Sequence, residues 1–110
     1  MDNYQVQVPN QIYKQLREIR QYISHSLSNP SAGEKLVREL IRGLRSLEIF
    51  PERGFNADER FGKALTPGHV TRGLPLKKGY IVLYDVDTDE KIVQVRYLLS
   101  TKSDYFKLFK

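Results

Sequence analysis

The sequence predicts an α+β domain ordered β-α-α-β-β-β, in which a helical hairpin packs on a small, mainly antiparallel sheet. Three observations predict it. A short alternating stretch opens the chain, two amphipathic segments follow, and three β-rich runs separated by turn residues come near the end. At 110 residues the chain is read as one domain, 1–110, with a modest core and its function on an open face or shallow groove.

In the first run Tyr4, Val6 and Val8 alternate with Gln5 and Gln7, the pattern of a strand with one buried face. Pro9 ends it, because proline has no N–H for a ladder and suits the first turn of a helix. Ile12, Leu16, Ile19 and Ile23 then recur at helical spacing, opposite Lys14, Arg17, Glu18 and Arg20. The stretch SLSNPSAGEKL breaks this helix and starts the next. Ser28 or Asn29 can cap it, Pro30 fits its first position, and Ser31 with Glu34 has capping-box spacing. Its apolar face runs through Leu36, Val37, Leu40, Ile41, Leu44 and Leu47, and His25 is read as a cation at the end of the first helix.

The segment FPERGFNADERFGKALTPGHV holds Pro51, Gly54, Gly62, Pro67 and Gly68, and reads as a long loop without a regular element. VTRGLPL, YIVLYDV and KIVQVRYLL follow as an antiparallel meander turned by KKG and DTDE. In the middle run Tyr80, Val82, Tyr84 and Val86 oppose Ile81 and Leu83. A strand apolar on both faces is central and covered on both. Along the last run, alternation puts Arg96 with Ile92, Gln94 and Leu98, facing either an acidic partner or a substrate.

Composition narrows the chemistry. The absence of cysteine removes disulfides, thiolate catalysis and cysteine-based zinc sites. His25 and His69 lie in unrelated segments without metal-ligand spacing, so neither a metal nor another cofactor is expected. A formal charge of +5 favours a polyanionic or acidic partner. No apolar run approaches a membrane span and the polar start MDNYQVQVPNQ is unlike a signal peptide, so no membrane role and a cytoplasmic location are expected.

The order and spacing of SNPSAGEKLVRELIRGLRSLEIFPERGF, TRGLPLKKGYIVLYDVD and VRYLLSTKSDYFKLF resemble the RelE/ParE superfamily of bacterial toxins along essentially the whole chain. The resemblance implies a type II toxin held by a cognate antitoxin in a hetero-oligomeric complex. RelE-like members cut mRNA on the ribosome without a metal, whereas ParE-like members inhibit DNA gyrase.

For RNA cleavage, the 2′-hydroxyl must lose a proton and the phosphate must gain a counter-charge, with an acid for the leaving oxygen. On this reading Arg72 is the leading catalytic candidate, since the family often carries there an arginine that faces the concave surface. Its alternative is a solvated cation on an edge strand. His69 is the loop group whose ordinary pKa suits acid–base work. Lys102 and Tyr105 complete the catalytic set; such nucleases usually carry an arginine and a tyrosine, or a His–Tyr pair, at this point. Arg53, Arg60, Lys63, Lys77 and Lys78 are the candidate RNA-binding cations, Arg53 alternatively capping the carbonyls of the second helix. Tyr105, Phe106, Leu108 and Phe109 read equally as a lid over the end of the sheet. In that reading Ser103 and Asp104 start a last helical turn, and Asp104 pairs with Lys102 or Lys107.

Overall fold

The computed structural model describes residues 3–101. The elements run β1 (Gln5–Gln7), α1 (Asn10–Ser26), α2 (Pro30–Arg45), β2 (Phe55–Asn56), α3 (Ala57–Phe61), β3 (Thr71–Pro75), β4 (Tyr80–Asp87) and β5 (Ile92–Ser100). They form the α+β arrangement expected, with one five-stranded sheet ordered β1-β5-β4-β3-β2. β3, β4 and β5 are the antiparallel meander, while β1 joins β5 in parallel, Gln5 beside Ile92 and Gln7 beside Gln94.

The helix hairpin owes its geometry to a cap. Asn29 Oδ1 accepts from the Ser31 N–H at 3.1 Å, and Pro30 opens α2 where a missing N–H costs nothing. This corrects the expected Ser31–Glu34 capping box, because the Ser31 hydroxyl donates to Asn29 Oδ1 at 2.9 Å instead of acting as the cap. Ser24 Oγ stitches the two helices, donating to the Pro30 carbonyl at 3.0 Å and accepting from the Gly33 N–H at 3.1 Å. α2 ends at Arg45, so Leu47 is buried from the following 3₁₀ turn (Ser46–Glu48) rather than from the helix itself.

Leu16, Leu36, Leu40, Leu44 and Leu47 pack onto Leu74, Val82, Tyr84, Val93, Val95 and Leu98 on one face of the sheet. On the opposite face, Ile81 and Leu83 pack with Ala57, Phe55, Phe61, Leu65 and Leu99. β4 is thus central and buried on both faces, as its double apolar pattern predicts.

The cover on this second face comes from the segment read as a loop without regular structure. It contains β2 and α3. Asn56 Oδ1 caps α3 through the Glu59 N–H at 2.9 Å, and Gly62 closes it in the left-handed conformation. Breaker residues mark its two ends, and five residues are too few to show a helical period.

A second correction concerns Arg96. Leu83 faces Tyr97 and Tyr84 faces Val95, so Arg96 is the extra residue of a bulge. The bulge reverses the alternation. Arg96 stays with Ile92 and Gln94, but Leu98 turns to the helix side and is buried there.

Candidate functional site

Residues 50–54 follow the 3₁₀ turn after α2 and cross back to the sheet, where three hydrogen bonds to two side chains hold them. The Gly54 N–H donates to the hydroxyl of Tyr84, which is fully buried, at 3.1 Å. Arg72 Nη1 donates to the carbonyls of Gly54 at 2.9 Å and Glu52 at 3.4 Å. A Cβ on Gly54 would sit 2.6 Å from the Tyr84 hydroxyl oxygen and 2.7 Å from the Gly73 carbonyl, so only glycine fits. Burial pushes the Tyr84 pKa up, against the opposing pull of the Gly54 N–H and the charges of Arg72 and Arg53.

The clamp fixes what lies on the outer side of the turn. Phe50 is 61% exposed and Ile49 44%. With Tyr4, Pro51, Glu52 and Arg53 they line an open concavity of about 450 Å³. Arg53 also lines a second groove of about 400 Å³ between α2 and β3, with Arg42, Lys77 and Glu39 on its walls and Leu74 and Leu76 among its apolar lining. Arg53 Nη1 donates to the Ser46 hydroxyl at 3.0 Å, and that hydroxyl donates to the Gly43 carbonyl at 2.6 Å. Arg53 therefore reaches the end of α2 through a serine, not directly through helix carbonyls. Arg42 shares its charge with Glu39 at 3.1 Å.

The nominated residues divide between different surfaces. Arg72 is opposite Tyr84 in the β3–β4 register and so lies on the helix side of the sheet, occupied by the two loop carbonyls. β3 is not an edge strand at this point, since Asn56 of β2 pairs with Arg72. His69 lines a small pocket of about 180 Å³ with Asp85, Asp87, Ile92, Gln94 and Arg96, on the other side. In that pocket Asp85, 3% exposed, accepts from Thr71 Oγ1 at 2.8 Å and from Arg96 Nε at 2.7 Å. Of the two readings open for Arg96, the acidic partner is the one formed.

Arg60 lies 3.8 Å from the centroid of the Phe55 ring, a cation–π contact on the α3 side. Lys63 follows α3, its backbone N–H bonded to the Asp58 carbonyl at 3.1 Å. Lys77 and Lys78 form the turn between β3 and β4, where Lys78 adopts a left-handed backbone. Lys102 and Tyr105 lie outside the described residues, as do the tail aromatics. The structure thus brings Arg53 and Lys77 to one groove, with Arg72 behind the turn that carries Arg53, and leaves His69, Arg60 and Lys63 elsewhere. Phe50, Arg42 and the Tyr84 hydroxyl were not nominated from sequence. The available signal was an aromatic residue directly before a proline at the head of a loop, where no core periodicity accounts for it.

An opening strand, a helical hairpin and a closing meander, with the first strand laid parallel to the last, make the RelE/ParE-like toxin fold. The family model described as "ParE toxin of type II toxin-antitoxin system, parDE" matches residues 6–105. The chain belongs to this ParE toxin family, whose toxin–antitoxin character implies a cognate antitoxin as partner. No curated protein and no solved structure matches it. Among the described residues no helix is long and apolar enough to cross a membrane.

Proposed function

We propose that the chain is a cytoplasmic toxin that acts by binding DNA gyrase in the ParE manner, and that its cognate antitoxin neutralises it by covering the binding surface. The observation carrying this reading is the separation of Arg72 and His69, the two nominated catalytic groups among the described residues. Phosphodiester cleavage needs a base, a cation and an acid around one phosphate. Arg72 instead donates to two backbone carbonyls, and His69 lies across the sheet from it, beside the Asp85–Arg96 pair. A preformed surface of exposed apolar and cationic side chains suits macromolecular binding.

The test adds purified protein to gyrase with supercoiled DNA, and separately to a translating ribosome extract. Accumulation of gyrase-cleaved DNA, with mRNA left intact, is expected. New mRNA ends at codon boundaries, with gyrase unaffected, would instead favour an endoribonuclease of the RelE type working on ribosome and mRNA with Arg72, His69, Lys102 and Tyr105. Under that outcome Arg72→Ala should abolish mRNA cleavage and growth arrest together.

A further inference from the structure

The positive charge of the chain is concentrated on its helical hairpin. Residues 10–45 hold seven Lys and Arg against three Glu, so four of the five net positive charges lie on α1, α2 and their connection. The apolar faces of both helices are used up against the sheet, which leaves the cations on the outer, exposed side. Arg42 pairs with Glu39 and Arg45 with Glu48, whereas Lys14, Arg17 and Arg38 take part in no ion pair among the described residues.

The fold brings these three cations together. α1 and α2 run antiparallel and meet where a Cβ on Gly33 would overlap the Arg20 carbonyl. Three and six residues back from Arg20 stand Arg17 and Lys14; three and six residues on from Gly33 stand Leu36 and Glu39. Arg38 is therefore level with the gap between Arg17 and Lys14, on the neighbouring helix. Tyr13 and Ile41, both exposed, follow a residue or two further along. The bonds from Ser24 to Pro30 and Gly33 lock the hairpin, so the cations project from a rigid support. Of the three carboxylates, Glu39 is the partner of Arg42. Glu18 shares the α1 stripe of Gln15, whose amide donates to the Leu98 carbonyl at the sheet. Glu34 stands one helical turn before Arg38, toward the hairpin connection, and leaves three cations against one carboxylate.

We propose that this outer face of the hairpin binds the backbone of duplex DNA without regard to sequence, with Lys14, Arg17 and Arg38 on phosphates. Packed helices lie about 8–10 Å apart. The cations of α1 and α2 thus form two rows, at a separation between the widths of the minor and major grooves, about 6 and 12 Å. Two rows of charge on a rigid support suit a stiff double line of phosphates. A single strand is held largely by aromatic rings stacked on successive bases. Among the described residues this face offers Tyr13 alone, Tyr22 lying on the stripe of Gln15 and Glu18, and the Tyr13 hydroxyl suits a phosphate oxygen. The contact needs neither gyrase nor antitoxin, so it goes beyond the gyrase reading and is tested on DNA alone.

The experiment titrates a short labelled duplex of arbitrary sequence with the full-length chain, followed by fluorescence anisotropy between about 50 and 200 mM salt. Three phosphate contacts should give a slope of about −3 for log affinity against log salt. Arg17→Gln/Arg38→Gln keeps good helix formers at both positions. It is expected to make the slope shallower by about 2 and to weaken binding at least about 10-fold at the lowest salt. Arg60→Gln/Lys63→Gln removes the same charge on the α3 side, across the sheet, and should change affinity by less than about 3-fold. Thermal melting compares the folds of all variants.

No saturable binding by the wild-type chain, a slope near zero, or an equal loss in the Arg60/Lys63 variant would overturn the proposal. Competition by polyglutamate as effective as by unlabelled duplex at equal charge would overturn it too, and make the face a surface for acidic proteins. Tighter binding of a single-stranded RNA of the same length, lost in Arg17→Gln/Arg38→Gln, would reassign the face to single strands. DNA binding by the chain with gyrase unaffected would remove the gyrase reading and sustain this one.

Discussion

On the helix side of the sheet, Leu40, Leu47, Val82, Tyr84, Val93 and Val95 are all fully buried beneath two helices of sixteen and seventeen residues. On the other side, the buried apolar cluster is Ala57, Ile81 and Leu83, covered by a two-residue strand and a five-residue helix. The first face is held by apolar area. The second adds a polar chain in which Asp58 accepts from the Thr71 and Leu65 N–H groups while Asp85 binds the Thr71 hydroxyl and Arg96. Short covering elements bury too little to hold themselves, so the half-buried Asp58 carboxylate of α3 ties the cover to the start of β3. The turn that carries Phe50 and Arg53 belongs with the first face but borrows the method of the second, being tied by Tyr84 and Arg72.

The contrast breaks most sharply at the centre of the helix side. Leu40→Ala should lower stability by about 3 to 4 kcal/mol, because a fully buried leucine leaves a cavity that two packed helices cannot close. Denaturant titration checks this, and a loss no larger than that of Leu83→Ala would erase the distinction between the faces. Gly54→Ala comes next, at roughly 2 to 3 kcal/mol, since its Cβ meets the Tyr84 hydroxyl and the sheet backbone. Unlike Leu40→Ala, it should also release residues 50–54, read as faster amide exchange there with β4 still protected.

On the second face, Arg96→Met should cost about 1 to 2 kcal/mol. It leaves the Asp85 carboxylate buried with only the Thr71 hydroxyl, although partial exposure of Arg96 softens the loss. Adding Asp85→Asn should recover part of that cost, and purely additive losses would mean that the pair is not coupled.

The smallest effect is one of pH. Burial raises the folded-state pKa of Tyr84, so the unfolded chain releases its proton first as pH rises. The Tyr84 contribution is complete below about pH 10, the ordinary tyrosine value, and falls above it. Tyr84→Phe should therefore lose less stability between pH 9 and 11 than the parent does, while being less stable at pH 7 because the Gly54 N–H loses its acceptor. Tyr80, whose pKa is raised by burial and by Tyr22, leaves a residual slope of the same sign.

Long periodic segments were legible in the sequence. α1, α2 and β4 announce themselves through recurring apolar residues, and the two-sided apolar pattern of β4 correctly gives it a covered central position. The bulge was not legible, because the letters around Arg96 alternate as in a regular strand and only the facing strand reveals the extra residue. α3 was hidden by its length. The parallel pairing of β1 was hidden as well, since nothing local to Gln5 refers to Ile92. As for the site, Arg53 and Arg72 stood out as cations, but the bonds that occupy Arg72 depend on a loop returning across the sheet. The sequence offered no sign of that return.

The pairing of β1 with β5 also sets an order of events in time. Gln5 can find its neighbour only after Ile92 exists and the hairpin carrying it has formed, so most of the chain must be closed into a loop first. During synthesis the opening segment must wait for the last strand to leave the ribosome. In refolding followed by pulsed hydrogen exchange, the β1 amides should gain protection after those of β4. A toxin with this topology completes its sheet only after β5 has been made.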